Sequence, residues 1–413
     1  MGNVRLVRPC ADRAPYPTAE SPAQVHFPLA DVLLRSARVC ALMNLSSPLT
    51  PMRVLIVDDS VFMRAALTRM ISSDDSLCIV GTAETGLEAL AKIAALQPDV
   101  VTLDIDMPGL DGLETLKRIM SESPLPVIVV SALARCGAED ALQALALGAF
   151  DCIAKQLSYD HADVLKVQDE LIAKIKAAAA HSPQRTRLSS RPDCPCLGHS
   201  PADAATVPAT VPAIAPKIVA IGTSTGGPKA LQDVLSALPA DLPAAIVVVQ
   251  HMPVGFIGPF AKRLNDLCPL KVREAQENEL LRTGHVYLAP AGTHLIVQRQ
   301  SSSDVFLRLS LLPANLPHIP SVDVLMSSVA EVFGSSSIGI ILTGMGDDGA
   351  LGMKAIFDAG GVTIGQDQAT SVVYGMPRAC AEIGVLNQVA PLPDIPRQIL
   401  AALHHRTRAA AAP

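Results

Sequence analysis

Met52-Arg53-Val54-Leu55-Ile56-Val57-Asp58-Asp59 opens the part of the chain that decides its fold. A short aliphatic run ends on two carboxylates, as in a strand covered on both faces whose carboxyl end carries polar groups. Its apolar part, 54–57, is followed by four similar runs over 77–82, 99–104, 126–131 and 151–155. Helical patterns lie between them, among them Glu88-Ala89-Leu90-Ala91-Lys92-Ile93 and Leu113-Glu114-Thr115-Leu116-Lys117-Arg118-Ile119. Regular β/α alternation of this kind predicts a parallel doubly wound sheet with right-handed crossovers over residues 52–180.

Upstream, residues 1–51 hold Pro, Ser and Arg without sustained periodicity, and their longest apolar piece, 39–43, is too short for a signal-peptide core. They read as a disordered or mis-assigned extension, with Met52 as the natural start. Downstream, residues 181–216 are dominated by Pro, Ala, Ser and Thr and read as a linker. Cys194, Cys196 and His199 within it fall one short of a four-ligand zinc site. A second α/β segment spans 217–406, followed by a tail over 407–413. Its expected elements are strands at 217–222, 244–250, 338–343 and 362–365, helices at 228–238, 322–333 and 350–359, and an antiparallel patch over 271–312.

Composition narrows the function classes. A chain of 413 residues favours two or three domains. With 33 Lys+Arg against 39 Asp+Glu the net charge is −6, which lacks the footprint of a nucleic-acid binder, and no basic helix-turn-helix closes the chain. Aromatics at 3% leave few stacking platforms for single strands. No apolar stretch approaches the roughly 18 residues of a spanning helix, which argues against membrane insertion. The nine scattered cysteines suit reduced thiols in a cytoplasmic protein.

Two blocks of residues carry chemistry. In the first, Asp58 and Asp59 end the first strand, Asp104 the third, Ser131 the fourth and Lys155 the fifth. Residues at these carboxyl ends converge in the crevice outside an open parallel sheet. Three carboxylates gathered there call for a hard divalent cation such as Mg²⁺. A hydroxyl and an ammonium beside them could hold the oxygens of a phosphoryl group on Asp104. One aspartate could simply cap the next helix; five ordered polar residues at four strand ends are harder to dismiss.

In the second block, Gly222-Thr223-Ser224-Thr225-Gly226-Gly227-Pro228 lies between a strand and a helix. It fits a turn that exposes a serine nucleophile, and equally a glycine-rich phosphate cradle. His251, directly after the 244–250 strand, and Asp347-Asp348, after the 338–343 strand, tip the balance to a Ser-His-Asp arrangement. His285, His294 and His318 compete with His251 but lie in the antiparallel patch or an irregular stretch. The residues alone do not separate Asp347 from Asp348.

The first block resembles the response-regulator receiver domain through Val57-Asp58-Asp59-Ser60, Leu103-Asp104-Ile105-Asp106-Met107-Pro108, Val130-Ser131-Ala132 and Ala154-Lys155. That resemblance implies a flavodoxin-like (βα)5 fold. It also implies Asp104 as the phosphorylated residue, Mg²⁺ on Asp58, Asp59 and Asp104, and Ser131 and Lys155 as the switch pair. Cys152 stands where that family often has an aromatic switch residue, and Gln156 where it has proline.

The second block resembles the catalytic domain of the CheB-type chemotaxis protein-glutamate methylesterases/glutaminases. The resemblance rests on Ile221-Gly222-Thr223-Ser224-Thr225-Gly226-Gly227-Pro228, Gln250-His251-Met252-Pro253, Tyr287-Leu288-Ala289-Pro290, Pro320-Ser321-Val322-Asp323 and Leu342-Thr343-Gly344-Met345-Gly346-Asp347-Asp348-Gly349. It implies a doubly wound α/β hydrolytic domain with Ser224 as nucleophile, His251 as general base and acid, Asp348 as orienter, and backbone amides of Thr225 and Met345 for the oxyanion. It implies a phosphorylation-activated hydrolase of methylated chemoreceptors, served by a chemotaxis histidine kinase and needing no cofactor for hydrolysis. The alternative is a catalytically inactive adaptor of a chemosensory array.

Overall fold

Every strand expected in the first α/β segment is present, in the order the alternation demands. The computed structural model describes residues 50–131, 135–155, 161–180, 217–301 and 304–409. Most of the expected extension, the 181–216 linker with Cys194, Cys196 and His199, and Gln156 lie outside the described residues.

Strands β1 (Met52–Val57), β2 (Leu77–Ala83), β3 (Val100–Asp104), β4 (Val127–Ser131) and β5 (Asp151–Ala154) form a parallel sheet in the order β2-β1-β3-β4-β5. Helices α1 (Val61–Ile71), α2 (Gly86–Leu96), α3 (Gly112–Glu122), α4 (Arg135–Ala146) and α5 (His161–Ala180) make the connections. The first three helices start where a side-chain oxygen takes up a free backbone N–H: Ser60 accepts from Met63, Thr85 from Glu88 and Asp111 from Glu114. Ser60, not Asp58 or Asp59, therefore caps α1, which removes the capping explanation for those two aspartates. Apolar residues cover both sheet faces, Leu55, Val101 and Val129 on one and Val54, Ile56 and Ile128 on the other. Each such fully buried aliphatic side chain stabilises the fold by about 2 kcal/mol.

The second segment holds β6 (Lys217–Thr223), β7 (Ala244–Gln250), β8 (Lys271–Glu274), β9 (Glu279–Leu280), β10 (His285–Leu288), β11 (His294–Arg299), β12 (Val305–Ser310), β13 (Ser337–Ile341), β14 (Val362–Gln366) and β15 (Gln388–Ala390). Its helices are α6 (Gly227–Ser236), α7 (Ile257–Leu267), α8 (Val322–Phe333), α9 (Ala350–Asp358), α10 (Met376–Glu382) and α11 (Ile395–Ala409). The main sheet is parallel, in the order β15-β14-β13-β6-β7-β10-β8. A separate antiparallel sheet has the order β11-β12-β9.

The expected antiparallel patch over 271–312 is thus only partly right, because β8 and β10 belong to the parallel sheet. The apparent alternation in Val286-Tyr287-Leu288 misleads. All three side chains are buried, and the Tyr287 hydroxyl is satisfied internally, donating to the Leu280 carbonyl and accepting from the Arg282 N–H.

Among the described residues no helix is long and apolar enough to cross a membrane. Among the described residues Cys152, Cys268 and Cys380 are free thiols.

Candidate active site

Strand β6 lies between β7 and β13, so the loops leaving these three strands are neighbours at one edge of the main sheet. The chain runs from β6 to β7 on one side and reaches β13 on the other, which makes this edge a topological switch point, where open α/β sheets bind ligands. Ser224 follows β6, His251 follows β7, and Asp348 lies beyond β13. The loops are bolted together: Ser224 N donates to Thr343 O (3.1 Å), His251 N to Thr223 O (3.1 Å), and Thr343 Oγ1 to Thr225 O (2.9 Å). The buried Gln250 amide donates to the carbonyls of both Ser224 (2.8 Å) and His251 (3.0 Å), pinning two candidate residues with one side chain.

The turn carrying Ser224 requires glycine. Gly226 has φ +76°, and a Cβ there would lie 2.5 Å from Val372 Cβ. At Gly227 a Cβ would meet Gln250 Oε1 at 2.1 Å and Thr223 Oγ1 at 2.3 Å. The backbone N–H groups of Thr225 and Met345 donate no hydrogen bond among the described residues.

His251 Nε2 and Asp348 Oδ2 are 2.8 Å apart. Asp348 also accepts from Ser321 Oγ (2.8 Å) and from the first N–H groups of α8, Val322 (2.8 Å) and Asp323 (3.1 Å). Burial alone would raise its pKa, but the bonds from His251 and these amides outweigh that and hold it at about 2. The structure therefore separates the two aspartates: Asp348 makes these contacts, whereas Asp347 is exposed. With Nε2 committed to Asp348, Nδ1 of His251 is buried and carries no hydrogen bond. No hydrogen bond joins the Ser224 hydroxyl to His251 among the described residues. The geometry thus pairs the imidazole with the carboxylate and sets the serine on the adjoining loop.

Of the competing histidines, His294 is consumed structurally, bonding Pro313 O through Nε2 and accepting from Ser321 N through Nδ1. His318, set aside in the sequence, stacks on His251 with ring centroids 4.2 Å apart. Ser321 and Gln250 were not assigned either. A serine just ahead of an apolar helix is an N-cap signature and could have flagged Ser321; no local signal marks Gln250.

In the first sheet, Asp58 and Asp104 come together because β1 and β3 are adjacent. Asp58, Asp59 and Asp104 each place a carboxylate oxygen within 4.8 Å of the others. Lys155 Nζ lies 2.9 Å from Asp58 and 2.6 Å from Asp104, and Lys155 N donates to Ser131 O (2.7 Å). Burial raises the pKa of Asp104 against the pull of Lys155, and the Asp58 charge adds to the rise. Burial disfavours the charge on Lys155, but its hydrogen bonds to Asp104 and Asp58 more than compensate and raise its pKa. Asp59 is exposed and the other two carboxylates are buried. An all-oxygen donor set with one open side fits a hard divalent cation.

These features define a class: a receiver-type acidic cluster linked to an α/β domain with a histidine–carboxylate pair at its switch point. The response regulator receiver domain model matches residues 54–165, and the CheB methylesterase model matches residues 219–399. A protein-glutamate methylesterase/protein-glutamine glutaminase of Lawsonia intracellularis is 42% identical over 357 residues, covering 85% of this chain and 99% of the relative. One from Nitratidesulfovibrio vulgaris is 45% identical over 365 residues, with coverage of 85% and 99%. The solved CheB methylesterase catalytic domain of Thermotoga maritima is 40% identical, covering 46% of this chain and 99% of that one with a TM-score of 0.44. The chain belongs to the CheB family of receiver-linked protein-glutamate methylesterases/glutaminases.

Proposed function

We propose that this protein hydrolyses glutamate methyl esters on chemoreceptors, releasing methanol, and deamidates specific receptor glutamines. Ser224 Oγ attacks the ester carbonyl carbon and His251 Nδ1, the ring nitrogen left free by Asp348, takes its proton. The N–H groups of Thr225 and Met345 receive the oxyanion. The tetrahedral intermediate collapses as His251 returns its proton to the departing methoxide. Water then attacks the acyl-enzyme with His251 again as base, and a glutamate carboxylate leaves. With a primary amide the leaving group is ammonia and the steps are otherwise the same. Asp348 stays ionised, fixing the Nε2–H tautomer and stabilising the imidazolium.

The observation that carries this reading is the His251–Asp348 bond that leaves Nδ1 buried and unpaired. Methanol release from methylated receptor membranes tests it, with Ser224→Ala expected to lose about 10⁴-fold or more. Equal release from both proteins would remove Ser224 as the nucleophile.

In this reading residues 52–180 are the receiver and 217–406 the hydrolytic domain, joined by 181–216. A chemotaxis histidine kinase supplies the phosphoryl group to Asp104. Mg²⁺ held by Asp58, Asp59 and Asp104 would neutralise the carboxylates and the phosphoryl oxygens. Ser131 and Lys155 sense the added group. The two domains touch beside the active site: Phe256, five residues after His251, is buried among receiver core residues that include Cys152 and Ala141. In return Leu142 of α4 packs into the hydrolytic core. Phosphorylation of Asp104 shifts the population away from this covered arrangement.

A further inference from the structure

The histidine that stacks on His251 has no part in the steps above. His318 lies in the segment between β12 and α8, and its ring is 18° from parallel with that of His251. The segment is fixed on both sides of it. Pro313 O is bonded by His294, Ile319 O accepts from Gly292 N (3.1 Å), and Ser321 Oγ donates to Asp348 (2.8 Å). The same short stretch thus supplies a hydrogen bond to the orienting carboxylate and a ring on the face of the imidazole that carboxylate orients.

We infer that His318 is a positioning residue for the hydrolysis, its ring clamping the face of His251 so that Nε2 stays on Asp348 and Nδ1 stays aimed at the nucleophile. The inference rests on the reading of His251 as the base. Nδ1 of His251 is buried with no hydrogen bond among the described residues, so the ring is held by the Nε2 bond to Asp348 at one edge and by the stacked His318 ring on its face. Loss of alignment by a fraction of an ångström is costly in proton transfer. A neutral aromatic ring over the imidazole also favours the imidazolium formed in the transition state, whereas a charged ring would oppose it.

The groups that act on His318 are His251, Asp348 and Asp347 of the hydrolytic domain and Glu170 on α5 of the receiver. Burial of its inner face and the His251 charge lower its pKa, with the three carboxylates pulling the other way. These influences together favour the neutral form of His318. The outer side of the residue is open to solvent.

The test uses the full chain, methylated receptor membranes and methanol release, with His318→Ala, His318→Phe and His251→Gln. The Ala variant is expected to lose tenfold to a hundredfold in kcat with KM unchanged. The Phe variant, which keeps a ring on the face, is expected to return to within about threefold of wild type. A His318→Ala protein with wild-type kcat would overturn the inference, and so would a Phe variant as slow as the Ala variant. Full activity in His251→Gln would instead overturn the base assignment, so the two failures are distinguishable.

Discussion

Asp323 and Asp348 cap each other's helices. Asp348, two residues ahead of α9, accepts the first N–H groups of α8, while Asp323 in the first turn of α8 accepts Gly349 N (2.9 Å) and Gly352 N (2.7 Å) at the start of α9. Each carboxylate meets the positive end of the other's helix, so the Asp348 carboxylate is held by two packed helices instead of by its loop alone.

Asp323→Ala should therefore cost stability and activity together. Loss of two capping bonds predicts a destabilisation of about 1–2 kcal/mol in urea unfolding. It also predicts a drop in kcat of about tenfold, because the turn carrying Asp348 loosens. Unchanged kcat in a destabilised variant would separate capping from positioning.

Gly227→Ala tests the turn. The added methyl group collides with Gln250 Oε1 and Thr223 Oγ1, so the amide that pins Ser224 and His251 must move. Overpacking of this kind costs about 1–3 kcal/mol, and turnover should fall more than thermal stability does. Wild-type turnover would show that Gln250 does not position the pair.

Asp348 makes a pH prediction. Its folded pKa of about 2 lies below the unfolded carboxylate value, so its stabilisation is complete above about pH 4 and is lost as pH falls through about 2. The size is about 2 kcal/mol. Urea unfolding of wild type against Asp348→Asn should show a stability gap that narrows over that interval. A gap independent of pH would contradict the assignment of the depressed carboxyl.

Lys155→Met leaves the buried Asp58 and Asp104 carboxylates facing each other without a cation. Removing one partner of such a cluster costs about 3–5 kcal/mol. Added Mg²⁺ should recover part of it in thermal melts, and should recover none in the double variant with Asp58→Asn. Equal response of the two proteins to Mg²⁺ would argue against the cluster as its site.

Much of this was readable in the chain because strand ends are. An aliphatic run followed by a polar residue places that residue at the sheet's rim, and Asp58, Asp104, Ser224 and His251 all follow this rule. Its limits are equally physical. Asp347 and Asp348 share the rule, and only the hydrogen bonds from His251, Ser321 and the start of α8 separate them. The alternation around Tyr287 suggests a short antiparallel strand, but its hydroxyl finds internal partners and β10 pairs in parallel with β7 and β8. Gln250 and His318 make contacts between segments far apart in sequence, and their spacing carries no trace of those contacts, whereas Ser321 shows only as a helix cap.

The most direct test traps the covalent intermediate. The protein is mixed with a glutamyl methyl ester peptide, quenched in acid within a turnover, digested and read by mass spectrometry. An acyl adduct on the peptide bearing Ser224, absent from His251→Gln, is the predicted result. Rapid methanol release with no adduct on that serine, or with the adduct elsewhere, would contradict it.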